Sequence, residues 1–195
     1  MTDKAALKPS PITPEQAADF IRGRRSVDQF TADIPDDAVI REAIELGRWA
    51  PNHHLTEPWR FYRLGPDSKN AVIDLNTRLV ARRKGDEIAA AKRERWRAVP
   101  GWLAVTCAVN DDPITAREDY AACACAIQNI ALYLHSAGLG CKWTSGAVTR
   151  EPEFLRILGA HDEDEYCVGL LWYGCPKRRP RSQRVDMADI VVGCP

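Results

Sequence analysis

The sequence lacks an excess of either charge, since its 27 Lys and Arg residues are matched by 27 Asp and Glu residues. A balanced chain has no broad positive field with which to attract nucleic acid or an anionic membrane. No helix-turn-helix or RNA-binding signature accompanies the arginines, so we predict no nucleic-acid partner. Arginine is nevertheless dense at residues 22–25 and 178–184, which are the candidate positions for holding an anionic ligand.

Long apolar runs are also missing. The longest, residues 102–109, has the length of a buried strand and falls far short of the ~18 residues that a membrane helix needs. Residues 1–14 are polar and lack the apolar centre of a secretory signal. These absences predict a cytoplasmic protein with no membrane partner.

Paired cysteines and metal-binding motifs are absent as well. The seven cysteines include no CxxC pair, so we expect free thiols rather than a disulfide framework or a zinc ribbon. His53 and His54 are adjacent, their side chains should point apart, and no HExxH motif is present. We therefore predict no metal site. Neither a dinucleotide-binding GxGxxG turn nor a P-loop occurs.

What the sequence does contain is a mixture of helix and strand patterns. Helices are expected over residues 14–23, 35–49, 67–94 with a break near Gly85, 114–137 and 152–158. Asp33 is the expected N-cap of the second helix, and the charge run at residues 92–97 predicts a solvated helix face. Strands are expected over residues 59–64, 102–110, 141–145 and 166–173.

Helices and strands do not alternate strictly, which predicts an α+β fold with a mixed central sheet flanked by helices. The alanine-rich segment 114–137 is the expected central helix, where small residues allow another helix or subunit to approach closely. We expect a single domain over residues 1–195, with a flexible N-terminal arm at 1–12 and a C-terminal tail at 176–195.

Four segments carry residues suited to ligand binding. The Arg24-Arg25-Ser26 turn could hold phosphate oxygens, because guanidinium groups bind them bidentately. The loop at residues 50–61 is rich in polar side chains, and the segment 138–146 could offer backbone N–H groups to a planar ligand. The basic segment 177–181 could neutralise a phosphate. Taken singly, each segment is weak evidence for a ligand: a solvated surface is favoured for the Arg24 turn and for the basic tail, and a helix cap that leads into a strand accounts for segment 138–146.

The order of the four segments resembles the nitroreductase-like flavoprotein family, in its short, minimal branch. Arg24-Arg25-Ser26-Val27 followed by Phe30 is similar to the opening signature of the family. Residues 48–51 and 57–61, reading RWAP and EPWRF, resemble its second block. Residues 126–143, with Gln128-Asn129, the GLG turn and a Trp, resemble its long helix and turn, and residues 169–176 resemble its last strand. The likeness covers about residues 12–192.

This resemblance implies a homodimer with FMN bound in two clefts at the subunit interface. It implies that the Arg24-Arg25-Ser26 turn contacts the phosphate and ribityl chain of FMN, and that the basic tail adds positive charge at the phosphate. The flavin ring would lie beside segment 143–145, and the loop at residues 50–61 of the other subunit would cover it. The implied cofactor-binding residues are Arg24, Arg25, Ser26, Trp49, Pro51, Asn52, His53, Trp143, Thr144, Ser145, Arg179 and Arg181. No catalytic side chain is implied, because the flavin carries the chemistry.

The sequence departs from the family pattern at a few positions. Asp28 stands where many relatives have a basic residue, and Glu57 stands where glutamine is usual. His54 and Leu55 replace smaller residues, and segment 69–97 matches least. These differences bear on the shape of the substrate pocket more than on FMN binding.

The expected function is transfer of hydride from NAD(P)H through flavin N5 to an electron-poor acceptor in a ping-pong cycle. Nitroaromatics, quinones and activated alkenes are the candidate acceptors. The alternative is a flavin carrier or sensor without turnover, which would need no room for nicotinamide above the ring. An enzyme that fragments or dehalogenates its substrate with the same fold is a third possibility, although no residue supports it.

Overall fold

The computed structural model describes residues 11–194. Its helices are α1 (Pro14–Gly23), α2 (Asp37–Gly47), α3 (Pro66–Lys84), α4 (Asp86–Arg97), α5 (Pro113–Ser136) and α6 (Pro152–Leu158). Its strands are β1 (Trp59–Arg63), β2 (Gly101–Ala108), β3 (Gly140–Thr144) and β4 (Glu165–Gly174). Short 3-10 turns occur at His53–Leu55, Ala147–Arg150 and Met187–Asp189. The predicted N-terminal arm, residues 1–12, lies outside the described residues except for its last two.

The four strands form one sheet in the order β1-β2-β4-β3, and each neighbouring pair is antiparallel. The α+β class is therefore confirmed, whereas the prediction of a mixed sheet is wrong for these strands. Helices α3 and α4 separate β1 from β2. They return the chain to the end of the sheet at which β1 finished, so β2 runs antiparallel to β1. Within the described residues, the one parallel pairing is an isolated bridge between Ser26 and Cys141.

Helices cover both faces of the sheet, as alternation along β2 shows. Leu103 and Val105 pack into a core formed with α2 and α5. Trp102 and Ala104 point to the other face and pack into a second core, formed with α3, α4 and α6. The expected central position of α5 is confirmed, since Cys123 and seven other residues of this helix are buried. Among the described residues, no helix is both long and apolar enough to cross a membrane.

One predicted helix cap and one predicted solvated helix face need correction, whereas the predicted helix break is confirmed. The Asp36 side chain, not that of Asp33, caps α2 by accepting a hydrogen bond from the backbone N–H of Ala38, while Asp33 accepts one from Thr31. The expected break at Gly85 is confirmed, because its φ of 86° is a conformation that suits glycine. Segment 92–97 is solvated only in part, since Trp96 is buried edge-on against two other tryptophans, Trp102 and Trp172.

Candidate functional site

The arginines that follow α1 and those of the C-terminal tail meet at one end of β3. Arg24, Arg25 and Arg179 line a small cavity together with His135 and residues 138–141. A cleft of about 400 Å³ is lined by Arg24 and Arg25 again, now with Arg184. No acidic side chain lines either space. The two basic clusters of the sequence therefore form one basic site.

A close approach of the chain to β3 holds the first cluster in place. Helix α1 ends at Gly23, and the extended segment after it donates a hydrogen bond from the Val27 N–H to the Cys141 carbonyl, with an N···O distance of 3.0 Å. Gly140 makes this approach possible, because a Cβ at that position would lie 2.7 Å from the Cβ of Val27. The Arg24-Arg25 turn is thus fixed against the start of β3.

Backbone hydrogen bonds bring the tail to the same place. The Thr31 N–H donates to the Cys175 carbonyl over 2.9 Å, and the Lys177 N–H donates to the Gln29 carbonyl over 3.0 Å. The segment that follows Ser26 therefore pairs with the segment that leaves β4. This pairing explains why Arg179 reaches the cavity of Arg24 although the two lie at opposite ends of the sequence.

The basic cluster carries positive charge that the described residues leave uncompensated. Arg24, Arg179 and Arg184 form no ion pair within residues 11–194, and the guanidinium of Arg25 donates only to backbone carbonyls of its own turn. Burial lowers the pKa of His135, and the charges of Arg179, Arg24 and Arg25 lower it further. Such a site favours an anion with several oxygen acceptors.

The lowered pKa of His135 predicts that the folded protein loses stability in mild acid. Below the ordinary pKa of 6.5, the unfolded chain takes up a proton that the folded histidine resists, so the free energy of unfolding falls as pH drops through this value. Urea unfolding of the protein without added ligand at pH 7.5 and 5.5 measures the effect. In H135Q this part of the pH dependence should vanish, and an unchanged dependence in the variant would contradict the assignment.

A larger cavity, of about 580 Å³, opens at the other end of β3. Lys142 and Thr144 reach it from the strand, together with Gly146 and with side chains from α3 and α4. Trp143 does not line it, because alternate residues of a strand face opposite ways. Its indole instead lies against Gly169 and donates from Nε1 to the Val168 carbonyl over 3.2 Å.

The other predicted residues around this strand are placed as follows. Thr144 lines the large cavity, whereas the exposed Ser145 uses its carbonyl to accept a hydrogen bond from Arg150. Ser26 forms a parallel backbone bridge with Cys141 of β3, and its side chain is exposed. Arg181 is exposed and lines none of the cavities described here, and Arg184 stands at the basic cleft instead.

Asp28 is compensated by basic residues from two other elements. Its carboxylate accepts a hydrogen bond from Arg95 of α4 and lies 3.7 Å from Nζ of Lys142 in β3. Two cations face one carboxylate, so the position keeps a net positive charge although its own residue is acidic. The sequence offers no signal for this pairing, since no motif links Asp28 to Arg95 or to Lys142.

The loop between α2 and β1 lies on a different surface. Pro51, Asn52 and His53 line a shallow space against α5, and no arginine of the basic cluster contributes to it. The Asn52 side chain organises the loop by accepting from the Glu57 N–H over 2.7 Å and donating to Thr56 Oγ1 over 2.9 Å. Trp49 projects beside this loop with 77% of its surface exposed. One chain does not bring the loop and the arginines together.

Sequence reasoning missed several residues of these cavities. His135 is in the last turn of α5, and its place next to Phe20 and the arginines depends on tertiary packing. Gln128 lines the basic cleft, and its position within the family-like block of α5 was an available signal. Arg184 falls within the arginine-rich stretch 178–184 that was a candidate anion site, but it was not among the implied cofactor-binding residues.

The fold and the two cavities define an α+β protein in which a single strand joins a basic site to a larger pocket. The chain belongs to the Nitroreductase family, whose model matches residues 21–174. It is 27% identical over 170 residues to YfhC of Bacillus subtilis (strain 168), provisionally named an NAD(P)H nitroreductase, covering 85% of this chain and 87% of that protein.

Solved structures share the fold. The nitroreductase-like family protein from Bacillus cereus superposes with a TM-score of 0.81 at 27% identity, covering 95% of this chain and 99% of that one. The FMN- and NADPH-dependent nitroreductase NfnB from Sphigopyxis sp. strain HMH superposes with a TM-score of 0.76 at 18% identity, covering 92% and 99%. A nitroreductase from Desulfovibrio desulfuricans, solved in complex with FMN, has a TM-score of 0.72 at 22% identity, covering 94% and 98%.

Proposed function

We propose that this chain is an FMN-dependent oxidoreductase that uses NAD(P)H to reduce an electron-poor small molecule. The observation that carries the proposal is the convergence of Arg24, Arg25 and Arg179 on one cavity at the start of β3. The names of the relatives supply the chemistry, since they include NAD(P)H nitroreductases and an FMN complex. We infer a cytoplasmic location, where NAD(P)H is available and the seven cysteines stay reduced, in keeping with free thiols in the structure.

The residues present fit a flavin mononucleotide. The guanidinium groups of Arg24, Arg179 and Arg184 have no acidic partner within the described residues and suit a dianionic phosphate, and Arg25 adds a further positive charge beside it. Strand β3 leads from these arginines to the pocket at Thr144, which is the direction a ribityl chain would follow. Ser26 lies along this path. We therefore assign the phosphate to the arginines and the ring to the neighbourhood of Thr144 and Ser145.

When bound, FMN supplies the two-electron chemistry, taking hydride from NAD(P)H at N5 and passing it to a nitroaromatic, quinone or activated alkene in a ping-pong cycle. The chain itself contributes binding and electrostatics. Lys142 and Arg95 keep positive charge beside the pocket despite Asp28, and such charge stabilises negative charge that develops on a bound ring. No acidic side chain lines the pocket and the bound flavin would carry the chemistry, so we assign no catalytic residue in this chain.

A homodimer completes the proposed site. Trp49, Pro51, Asn52 and His53 lie apart from the arginines of their own chain, so we propose that they cover the flavin of a second copy. Exposed apolar side chains support association: Trp49 is 77% and Leu55 81% exposed. The tail adds Val185, Met187, Ile190, Val191 and Val192, which are also exposed.

The pocket favours an enzyme over a flavin carrier or sensor. Helices α3 and α4 border the space near Thr144 but leave about 580 Å³ open, enough for a nicotinamide ring or an aromatic acceptor. Anaerobic stopped-flow mixing of the FMN-loaded protein with NADPH or NADH tests the proposal. We expect the flavin absorbance near 450 nm to bleach and to return when a nitroaromatic is added. A protein that binds no FMN, or whose flavin neither coenzyme reduces, would refute it.

A further inference from the structure

The large cavity between α3, α4 and β3 is positively charged on several sides. Arg83, Lys84, Lys92, Arg95 and Lys142 line it, and no acidic side chain does. Asp28 lies next to the last two and can neutralise only one of them. Arg83, Lys84 and Lys92 form no ion pair within the described part of the chain. The cavity therefore keeps a large excess of positive charge.

The charges are close enough to act on one another. Burial lowers the pKa of Lys92, and the nearby charges of Lys84, Arg95 and Arg83 lower it further. The ammonium of Lys92 also lies 5.6 Å from the centre of the Trp96 ring. Cations held together without counter-charges cost free energy, and a bound anion would relieve that cost.

The uncharged part of the wall suits a planar aromatic molecule. Leu79, Ile88, Trp96 and Trp172 supply apolar surface. Two wall residues also hold buried N–H donors that have no acceptor among the described residues, namely Nδ2 of Asn76 and Nε1 of Trp172. Both residues are at least nine-tenths buried. Buried donors without partners are costly, so a ligand with oxygen acceptors would gain affinity from them after small side-chain adjustments.

We propose that the electron acceptor of this protein is an aromatic molecule that carries a negative charge, such as a carboxylate or sulfonate, bound in this cavity. The inference rests on the proposed function, and it narrows the acceptor class from electron-poor molecules in general to anionic ones. A phosphate group of NADPH could use the same cations, so the test must separate the acceptor from the coenzyme.

The test uses two acceptors of nearly the same size and a pair of neighbouring arginines. 4-Nitrobenzoate carries one negative charge, and 4-nitrobenzamide carries none. Arg83 lines the cavity, whereas Arg82, directly before it in α3, does not line it and forms no ion pair within residues 11–194. R83Q thus removes a positive charge from the cavity wall, and R82Q removes a positive charge from the same helix outside the cavity. K92Q provides a second variant inside it.

We expect the FMN-loaded wild-type protein to prefer 4-nitrobenzoate in kcat/KM by about tenfold or more at low salt, since a partly desolvated ion pair contributes on this scale. The preference for 4-nitrobenzoate over 4-nitrobenzamide should fall about three- to tenfold in R83Q and K92Q, and it should remain within about twofold of wild type in R82Q. In the wild-type protein, the preference should also decrease as added salt screens the charges. The NADPH-to-NADH ratio should change little. If R83Q instead lost the preference for NADPH over NADH and kept its preference between the two acceptors, the cations would bind the coenzyme, and the proposal would be overturned.

A binding measurement keeps this inference separate from the proposed function. 4-Nitrobenzoate should quench the fluorescence of the tryptophans in the wall, in the protein as purified and without NAD(P)H, at concentrations about tenfold lower than 4-nitrobenzamide. A protein that showed this difference but no flavin reduction would refute the proposed function and leave the anion site standing. Equal binding of both probes by a protein whose flavin is reduced would refute the anion site alone.

Discussion

R179A should weaken FMN binding about 10- to 100-fold while the protein stays folded. Arg179 is an exposed tail residue that contacts no core cluster, so its removal should not affect packing. A charge-assisted hydrogen bond to a phosphate contributes about 1.5–3 kcal/mol, and about 1.4 kcal/mol corresponds to tenfold in affinity. Titration of the FMN-free protein, followed by quenching of flavin fluorescence at fixed salt, gives the dissociation constant.

R181A is the matched control for this loss. It removes the same charge two residues away, from a side chain that lines neither the small cavity nor the cleft, so FMN affinity should change less than about threefold. Riboflavin, which lacks the phosphate, should bind wild type and R179A with similar affinity. If R179A weakened riboflavin as much as FMN, or if the two variants lost FMN affinity equally, the phosphate assignment would be wrong.

N52A should lower turnover about 10- to 100-fold through its effect on the loop that, in our proposal, covers the flavin of the second chain. Three non-glycine residues of this loop have positive φ, namely His54, Leu55 and Glu57. The side-chain hydrogen bonds of Asn52 to the loop hold it in this conformation. Misplacement of a positioning group by about 1 Å can reduce a rate about 100-fold. The loop is exposed, so the free energy of unfolding should fall by only about 1–2 kcal/mol.

N52D is the conservative comparison. An aspartate keeps the oxygen that accepts from the Glu57 N–H but loses the amide group that donates to Thr56 Oγ1 and to the His53 carbonyl, so the loss of turnover should be smaller than in N52A. Steady-state kinetics of both variants, with urea unfolding in parallel, separate positioning from stability. Turnover in N52A that equals wild type would show that the loop does not serve the active site.

Local patterns were enough to predict most of the elements of this fold. The Thr13 cap, the break at Gly85 and the buried strand beginning near Trp102 depend on nearby residues, and each was found close to its predicted place. The direction of the strands was not predicted correctly. It depends on how the α3–α4 pair returns the chain to the sheet, which no window of neighbouring residues records.

The residues of the candidate site likewise divide into those that sequence motifs predict and those that depend on tertiary structure. Arg24, Arg25 and Arg179 were predictable because their motifs occur in order along the sequence, and the structure brings them to one cavity. The pairing of Asp28 with Lys142 and Arg95 was not predictable, because three separate elements supply it. Strand alternation separates Trp143 from Thr144, although the sequence made them neighbours in one binding segment.

The central claim is that each active site combines the arginines of one chain with the loop of another. Mixed dimers test it most directly: a chain carrying R24A and R179A is refolded or co-expressed with a chain carrying N52A. Each variant alone should retain only a small share of wild-type turnover. In a mixed dimer, the intact arginines of one chain face the intact loop of the other, so one of the two sites is restored.

With random pairing, half of the dimers are mixed and half of their sites are restored, so the mixture should recover about a quarter of wild-type activity. If the mixture shows only the average of its two parent variants, both halves of the site lie within one chain, and the shared-site account is wrong.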